Sequence, residues 1–203
     1  TIKNKTYSLP VFLPDATRGY VKGLDSKDLY SSNVDGVVVN TYHLMQDPGE
    51  DFIYQQGAIK NFMNFDGLVV TDSGGWQIFS LIQRNQKMGE IFEDGVVFNI
   101  GKDKKLFTPE DCIDVQFKLG SDIIICLDHF SPPKSTKDRV EKSVVRTTKW
   151  AERCKKRYLH NLEKYKFTDN NRPFIFGVIQ GAEYKDMRQK SAEELIEIGF
   201  DGY

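Results

Sequence analysis

The sequence is poor in the features of disulfide-stabilised, zinc-binding and membrane-spanning proteins. It has only three cysteines among 203 residues, and their odd number and wide spacing argue against a disulfide framework or a closed zinc site. We expect each cysteine to be a small buried group in a cytoplasmic protein. No apolar run approaches the roughly 20 residues of a membrane helix, so we expect no membrane association. The net charge of −1 gives the whole chain no basic character that would attract nucleic acid, and a local patch would have to supply it.

Length and composition fit one globular domain. The chain is 39% hydrophobic and 28% charged, which is ordinary for a protein with a single buried core. The first residues, TIKNKTYSLP, lack both a starting Met and the basic-then-apolar layout of a signal peptide. We therefore expect an excised or processed piece of a longer protein.

Short apolar strands alternate with helical segments, which is the pattern of βαβ units around a parallel sheet. The predicted strands are residues 34–40, 67–72, 121–128 and 173–180, with a fifth opening at 200–203. The predicted helices begin near Glu50 and cover 108–120, 137–166 and 185–199. Residues 41–49 are predicted as a loop, and 92–109 as an inserted hairpin in an irregular region, with its turn at Gly101–Lys102–Asp103.

These four and a half βα units leave two α/β architectures open. They could form a complete doubly wound sheet, or the first half of a (β/α)₈ barrel, which needs about 250 residues in full. The periodicity alone does not decide between them.

Polar side chains follow three of the predicted strands at their carboxyl ends, where parallel α/β folds bind ligands. They are Asp72, Asp128 and Gln180. Two carboxylate acceptors and an amide match the edge of a guanine-like base, with N–H donors facing the carboxylates and a carbonyl facing the amide. The structural alternative is that each Asp only caps the following helix.

The stretch TDSGGWQIFSL supplies the rest of this predicted site. Ser73 follows Asp72, and Trp76 offers a face on which a base could stack. Gly74 and Gly75 would let backbone N–H groups approach a ligand.

Other candidates have a structural explanation that we favour. His129 could act as an acid or base or contact a phosphate, and His43 could position a loop, but a lone histidine is more often structural. We expect His160 to lie on the surface. A basic run could contact RNA phosphates, although a solvated helix face explains it better; it comprises Lys149, Arg153, Lys155, Lys156 and Arg157.

Several segments together resemble the tRNA-guanine transglycosylases, also called queuine tRNA-ribosyltransferases. These segments occur in the family's order: LPVFLPDATRGYVKGL, NTYHL, TDSGGWQIFSL, LDHFSPP and GVIQGAEYKDMRQKSAEELIEIGFDGY. The similarity runs over nearly the whole chain, and TDSGG followed by an aromatic residue and Gln is specific to the family.

The resemblance implies a fold and an activity. The fold is a (β/α)₈ TIM barrel, of which residues 1–203 would be the N-terminal part with the inserted hairpin. The activity is exchange of guanine at the tRNA wobble position for a 7-deazaguanine, in the queuosine pathway, through a covalent RNA–enzyme intermediate. The resemblance also implies zinc and a homodimer for the full-length protein, with the zinc subdomain and the nucleophilic Asp beyond Tyr203. This chain would then hold no metal and no cofactor, and would be inactive alone.

The resemblance also implies roles for the candidate residues. Asp72 matches a base-contacting Asp described as a proton acceptor, and residues 73–76 match the pocket wall, with Trp76 at the stacking position. Asp128 matches the Asp that reads the N–H edge of the base. Gln180 matches the Gln that reads its carbonyl, and Gly181 the neighbouring backbone contact.

Two departures from the family pattern bear on the pocket. Phe130 stands where most bacterial relatives have Cys, so the pocket wall and the choice of 7-deazaguanine should differ. Ala182 replaces the second Gly of a QGG motif, which we expect to be a smaller change.

Three other functions remain open from the sequence. The chain could be a non-catalytic partner subunit, or a related enzyme that modifies DNA. Without the resemblance, the leading alternative is a sugar-processing hydrolase with Asp72 and Asp128 as acid and base.

Overall fold

The structure, a computed structural model, describes residues 1–100 and 103–203. The strands are β1 (Gly36–Asn40), β2 (Leu68–Asp72), β3 (Gly89–Ile91), β4 (Val96–Ile100), β5 (Asp103–Phe107), β6 (Ile123–Ile125) and β7 (Phe174–Phe176). The helices are α1 (Ser26–Ser31), α2 (Thr41–Gln46), α3 (Glu50–Gln55), α4 (Ala58–Met63), α5 (Gly75–Arg84), α6 (Pro109–Leu119), α7 (Lys137–Lys164) and α8 (Lys185–Ile198), and a 3₁₀ turn spans Gln86–Met88.

The main sheet is parallel and runs in the order β1-β2-β6-β7. Single bridges extend it at both ends, from Asp15 to Val38 beside β1 and from Phe176 to Gly202 beside β7. The second bridge lies where the sequence predicts the opening of a further strand, at residues 200–203. The strands of this sheet therefore lie side by side in the order in which they occur along the chain. The fold is mixed α/β with a parallel sheet, as the sequence predicts.

The predicted hairpin is present but is part of a larger insertion. Strands β3, β4 and β5 form an antiparallel sheet between α5 and α6. Phe98 and Phe107 are buried and join the main core, so this sheet is packed onto the domain. The predicted turn at Gly101–Lys102–Asp103 includes residues 101 and 102, which lie outside the described part of the chain.

Some predicted elements differ from the structure. Residues 41–46 form helix α2, and not a loop, because the Asn40 side chain caps the helix by accepting a hydrogen bond from His43 N at 3.0 Å. The helix predicted from Glu50 is broken into α3 and α4 at Gly57, which has a left-handed φ of 85°. The region after β2 begins with the regular helix α5 before the insertion starts.

The three later helices agree with the sequence. Helix α6 begins with a capping box between Thr108 and Asp111 and ends at Gly120, which is left-handed with a φ of 74°. Helix α7 buries one stripe along its length, and α8 ends at Gly199. The three cysteines are free and buried, as predicted. Among the described residues, no helix is both long and apolar enough to cross a bilayer.

Strand β6 is shorter than its apolar run, and the reason is a buried glutamine. The predicted strand covered residues 121–128, but the ladder ends at Ile125. There the Gln116 side chain takes the place of a neighbouring strand: its Oε1 accepts from Ile125 N at 3.0 Å, and its Nε2 donates to Ile125 O at 2.9 Å. Gln116 is fully buried, and its Oε1 also lies 2.6 Å from Thr71 Oγ1. This side chain thus determines where β6 ends and the following loop begins.

We predict that Gln116→Leu lowers the free energy of unfolding by about 2–5 kcal/mol, because it leaves the backbone N–H of Ile125 unpaired in the core and removes one partner of the Thr71 hydroxyl. Urea unfolding of the protein and its variants measures this change. Gln55→Leu makes the same substitution at an exposed position of α3 and should change the value by less than about 0.5 kcal/mol. Equal stabilities for the Gln116 variant and the wild type would contradict the role given to Gln116.

Candidate functional site

The structure brings Asp128 and Gln180 into direct contact at the carboxyl edge of the parallel sheet. Gln180 Nε2 donates to Asp128 Oδ2 at 2.7 Å, and Ser73 Oγ lies 3.4 Å from Asp128 Oδ1. Asp72 is the last residue of β2, and its neighbour Ser73 links it to Asp128. Three residues predicted from separate strands therefore converge on one site.

The Asp128–Gln180 pair presents an acceptor and a donor side by side. Asp128 offers carboxylate lone pairs, and Gln180 uses one of its two amide N–H groups on Asp128 and retains the second. Gln180 is held from behind, because its backbone N–H donates to Ser191 Oγ at 3.0 Å. An acceptor beside a donor complements the guanine edge that carries N–H groups next to a carbonyl oxygen.

Asp72 is clamped by neutral donors. Its Oδ1 accepts from Thr41 N at 3.1 Å and from Gly74 N at 3.0 Å, and its Oδ2 accepts from Asn40 Nδ2 at 2.6 Å. The Thr41 hydroxyl also donates to the Asp72 carbonyl. A carboxylate has about four lone-pair positions, so these three bonds leave Oδ2 able to accept from a ligand.

Both carboxyl groups titrate closer to neutrality than usual. Burial raises the pKa of Asp72 to about 6, even though the hydrogen bonds from Thr41, Gly74 and Asn40 act in the opposite direction. Burial likewise raises the pKa of Asp128 to about 6, and the nearby charge of Asp72 adds to the rise. At pH 7 both groups are mostly ionised, yet each can take a proton at small free-energy cost.

The two glycines of the TDSGG motif make close contacts within the protein itself. Gly74 has a φ of 73°, and a Cβ there would lie 2.9 Å from Tyr42 N. The Gly75 N–H donates to Ser73 Oγ at 3.2 Å, and a Cβ on Gly75 would lie 3.3 Å from the Asp128 carbonyl oxygen. The glycines therefore allow the β2 end to pack closely against α2 and the Asp128 loop, and both N–H groups serve intramolecular hydrogen bonds.

The turn after Gln180 is strained at the residue that departs from the family pattern. Gly181 has a φ of 135°, and a Cβ there would lie 2.4 Å from Arg188 N. Ala182 has a φ of 45°, which costs a residue with a Cβ about 1–2 kcal/mol relative to the right-handed region. Ala182 is thus a larger change than the sequence suggests, because glycine would adopt this φ without strain.

Trp76 is exposed beside the site and packs against a second aromatic ring. Its side chain lies in the first turn of α5 and is 60% exposed. The Phe130 ring packs on it, with ring centroids 4.4 Å apart and an angle of 38° between the rings. One face of Trp76 is therefore already covered by the residue that departs from the family pattern.

The histidine beside Asp128 does not have the pKa of an acid–base group at neutral pH. Burial, with the charges of Arg146 and Arg139, lowers the pKa of His129 to about 4. Arg146 Nη1 lies 3.1 Å from His129 Nδ1, so the neutral ring accepts this hydrogen bond and carries its proton on Nε2. The prediction that His129 is structural therefore agrees with its surroundings.

The basic run of α7 is largely paired with acidic residues. Arg153 contacts Glu110 Oε2 at 2.6 Å, and Arg157 contacts Asp114 Oδ2 at 2.5 Å. These pairs join α7 to α6, as expected for a structural helix face. His160 is exposed, as predicted.

The cysteines do not offer a zinc site within the described residues. Cys112 Sγ lies 3.7 Å from Ser73 O, and Cys154 Sγ lies 3.6 Å from Pro109 O, so both serve as buried thiol donors. Burial raises the pKa of the Cys112 and Cys126 thiols, which opposes the thiolate form that binds zinc. No group of three or more His, Cys, Asp or Glu in residues 1–100 and 103–203 is placed to hold a metal ion.

Asn40 and Thr41 are functional candidates that sequence reasoning missed. Asn40 ends β1 and pairs in register with Asp72 at the end of β2. The signal was available, because Asn40 is a polar residue at the carboxyl end of a predicted strand, like Asp72, Asp128 and Gln180. The loop predicted at 41–49 does not indicate helix α2, which Asn40 caps and whose first residue, Thr41, donates to Asp72.

We predict that Asn40→Ala raises the pKa of Asp72 above its value of about 6, because it removes a hydrogen bond that favours the ionised carboxylate. Carbon-detected NMR titration of the carboxyl groups measures this value. Asn85→Ala is the matched control, since Asn85 also caps a helical turn, through Lys87 N at 3.1 Å, without contacting Asp72. An Asp72 pKa that stays near 6 in the Asn40 variant would show that the clamp has no electrostatic effect.

Comparison with known proteins places this site in a family context. The sequence profile of a family described as queuine tRNA-ribosyltransferase matches residues 1–203. A protein named queuine tRNA-ribosyltransferase from Oceanobacillus iheyensis is 39% identical over 98% of this chain and 49% of its own length. Proteins of the same name from Solidesulfovibrio magneticus and Acetivibrio thermocellus are each 40% identical, over 96% and 97% of this chain and 49% and 50% of their own lengths.

The chain thus spans about half the length of these curated relatives. The match covers both parts of the site, the TDSGG stretch that contains Asp72 and the strand ends that contain Asp128 and Gln180. On this evidence the chain belongs to the queuine tRNA-ribosyltransferase family.

Proposed function

We propose that the chain is the base-recognition part of an enzyme that exchanges guanine at the tRNA wobble position for a 7-deazaguanine. The observation that carries this proposal is the contact between Asp128 and Gln180, 2.7 Å apart at the sheet edge. This pair complements the polar edge that guanine and 7-deazaguanine share. Family membership supports tRNA as the nucleic acid, since the relatives are named for it.

The residues divide the work of recognition and proton transfer. Ionised Asp128 accepts the N–H groups of the base, and the free amide N–H of Gln180 donates to its carbonyl oxygen. Asp72 accepts a proton or an N–H group, a role that suits its raised pKa of about 6. Ser73 orients the carboxylate of Asp128, and Trp76 supplies a stacking surface. Gly181 supplies the backbone contact beside Gln180, at a position where helix α8 packs too closely for a side chain.

The covalent step belongs to residues outside this chain. The resemblance assigns the attack on the tRNA ribose to an Asp with no counterpart among residues 1–203. It also assigns zinc to a cysteine- and histidine-rich subdomain, and the three cysteines here are unsuited to that metal. We propose that the full-length enzyme binds zinc, forms a homodimer and is cytoplasmic.

We further propose that the sheet is the first part of a (β/α)₈ barrel, with residues 1–203 forming part of one barrel domain. The sequential order β1-β2-β6-β7 supports this architecture, because a doubly wound sheet reverses its strand order at a switch point. The bridges at Asp15 and Gly202 extend the same order in both directions. Coverage of only half of each relative's length is consistent with an incomplete barrel.

The intact site favours an enzyme over a non-catalytic partner subunit. Asp72, Asp128 and Gln180 are all present, and each is held by its own hydrogen bonds. A subunit that only supports a catalytic partner has little need of a complete base site. A DNA-modifying relative would use the same base edge, so the nucleic acid has to be tested directly.

We predict that the full-length protein incorporates labelled guanine into tRNA and not into duplex DNA. We also predict that Asp128→Asn weakens base binding by about 2–5 kcal/mol, because the substitution replaces a carboxylate acceptor that faces N–H groups. Wild-type affinity should fall as the pH drops through about 6, since protonated Asp128 can no longer accept both N–H groups. Radiolabel exchange measures incorporation, and equilibrium binding of guanine measures the effects of the substitution and of pH.

Asp169→Asn is the control for this experiment. It removes the same charge at a fully exposed carboxylate and should leave both exchange and binding unchanged. Incorporation into DNA alone would replace the tRNA proposal with the DNA-modifying one. Unaltered guanine affinity in the Asp128 variant would discard the proposed pose of the base.

A further inference from the structure

The aromatic pair at the mouth of the site raises a problem for base stacking. Phe130 follows Asp128 by two residues, so its Cα lies within about 7 Å of the Asp128 Cα. The face of Trp76 on which Phe130 packs, at 4.4 Å between centroids, is therefore the face on the side of the Asp128 loop. A base held by Asp128 and stacked on that face would meet the Phe130 ring.

On its other side, Phe130 packs against the hydrophobic core and also borders open space. Its ring meets Phe79 edge-on at 5.8 Å between centroids. A cavity of about 430 Å³, partly open to solvent, adjoins it; its lining is mixed and includes Phe79, Ile91, Gln83 and Arg139. The Phe130 ring itself borders this cavity, so the ring has room to rotate toward it.

We propose that Phe130 occupies the base's stacking position on Trp76 in the empty site and swings into the adjoining cavity when a base binds. Phe130 is then an affinity-determining residue, because every base must displace it. The inference rests on the proposed function, since it needs a base at Asp128 and Gln180. It also explains how a bulky ring and a stacking tryptophan can share one pocket.

The effect of Phe130 on base affinity follows from the Trp76–Phe130 contact that a bound base replaces. An aromatic pair contributes about 0.5–1.5 kcal/mol beyond its buried area. Breaking the Trp76–Phe130 pair should therefore weaken base binding by about two- to tenfold relative to a protein without the ring. A base stacked on tryptophan recovers at least as much, so binding still occurs.

The test compares guanine binding by the protein, Phe130→Leu and Phe92→Leu. Phe130→Leu keeps an apolar side chain but removes the ring from Trp76. Phe92→Leu is the matched control, because it makes the same change at an exposed position, 43% accessible, that does not line the adjoining cavity. We expect Phe130→Leu to bind guanine about two- to tenfold more tightly and Phe92→Leu to bind like the wild type.

Fluorine NMR reports the stacking itself. The chain has two tryptophans, so 5-fluorotryptophan gives two resonances, which Trp76→Phe assigns. In Phe130→Leu without ligand, the Trp76 resonance should move far more than that of Trp150, which is fully buried. In the wild type, guanine should move the Trp76 resonance as one ring replaces another.

The outcomes separate this inference from the proposed function. Tighter binding by Phe130→Leu supports the displaced ring, including the case in which only that variant binds. Equal or weaker binding by Phe130→Leu, with a wild type that binds, overturns the inference and leaves the proposed function standing. If neither protein binds guanine, the base site fails and the inference fails with it.

Discussion

The arrangement of the site depends on one side chain that takes the place of a strand. Gln116 pairs with both backbone groups of Ile125, so β6 stops pairing with β2 there and the chain turns toward Asp128. Thr71, one residue before Asp72, lies 2.6 Å from the same amide. The ends of β2 and β6 are thus fixed by a shared buried contact, which in turn fixes the separation of the two candidate carboxylates, Asp72 and Asp128.

Buried carboxylates at the two ends of the parallel sheet have different hydrogen-bonding and ionic partners. At the amino end of β6, buried Asp122 is neutralised by Lys3 at 3.0 Å and Lys60 at 2.7 Å, which makes it a structural anchor. At the carboxyl end, Asp72 and Asp128 contact neutral donors, and burial raises the pKa of each to about 6. Carboxylates held by neutral groups keep their attraction for the N–H groups of a ligand, which is what base recognition requires.

The parts of this account that were predictable from sequence depend on local signals. The capping box of Thr108 and Asp111 and the stop at Gly120 define α6, and continuous apolar runs locate the parallel strands. The length of β6 was not predictable, because it is set by Gln116, a polar residue within a helix. The stacking of Phe130 on Trp76 was not predictable either, because it joins side chains distant in sequence, and periodicity carries no information about such contacts.

The central claim is that Asp128 and Gln180 together read the polar edge of a guanine-type base. A crystal structure of the protein with bound guanine tests it most directly, through the distances from the base to these two side chains. The account predicts that the ring N–H lies within about 3.2 Å of an Asp128 carboxylate oxygen and the base carbonyl within about 3.2 Å of Gln180 Nε2. Guanine bound elsewhere in the protein, with Asp128 and Gln180 still in contact only with each other at 2.7 Å, would contradict it.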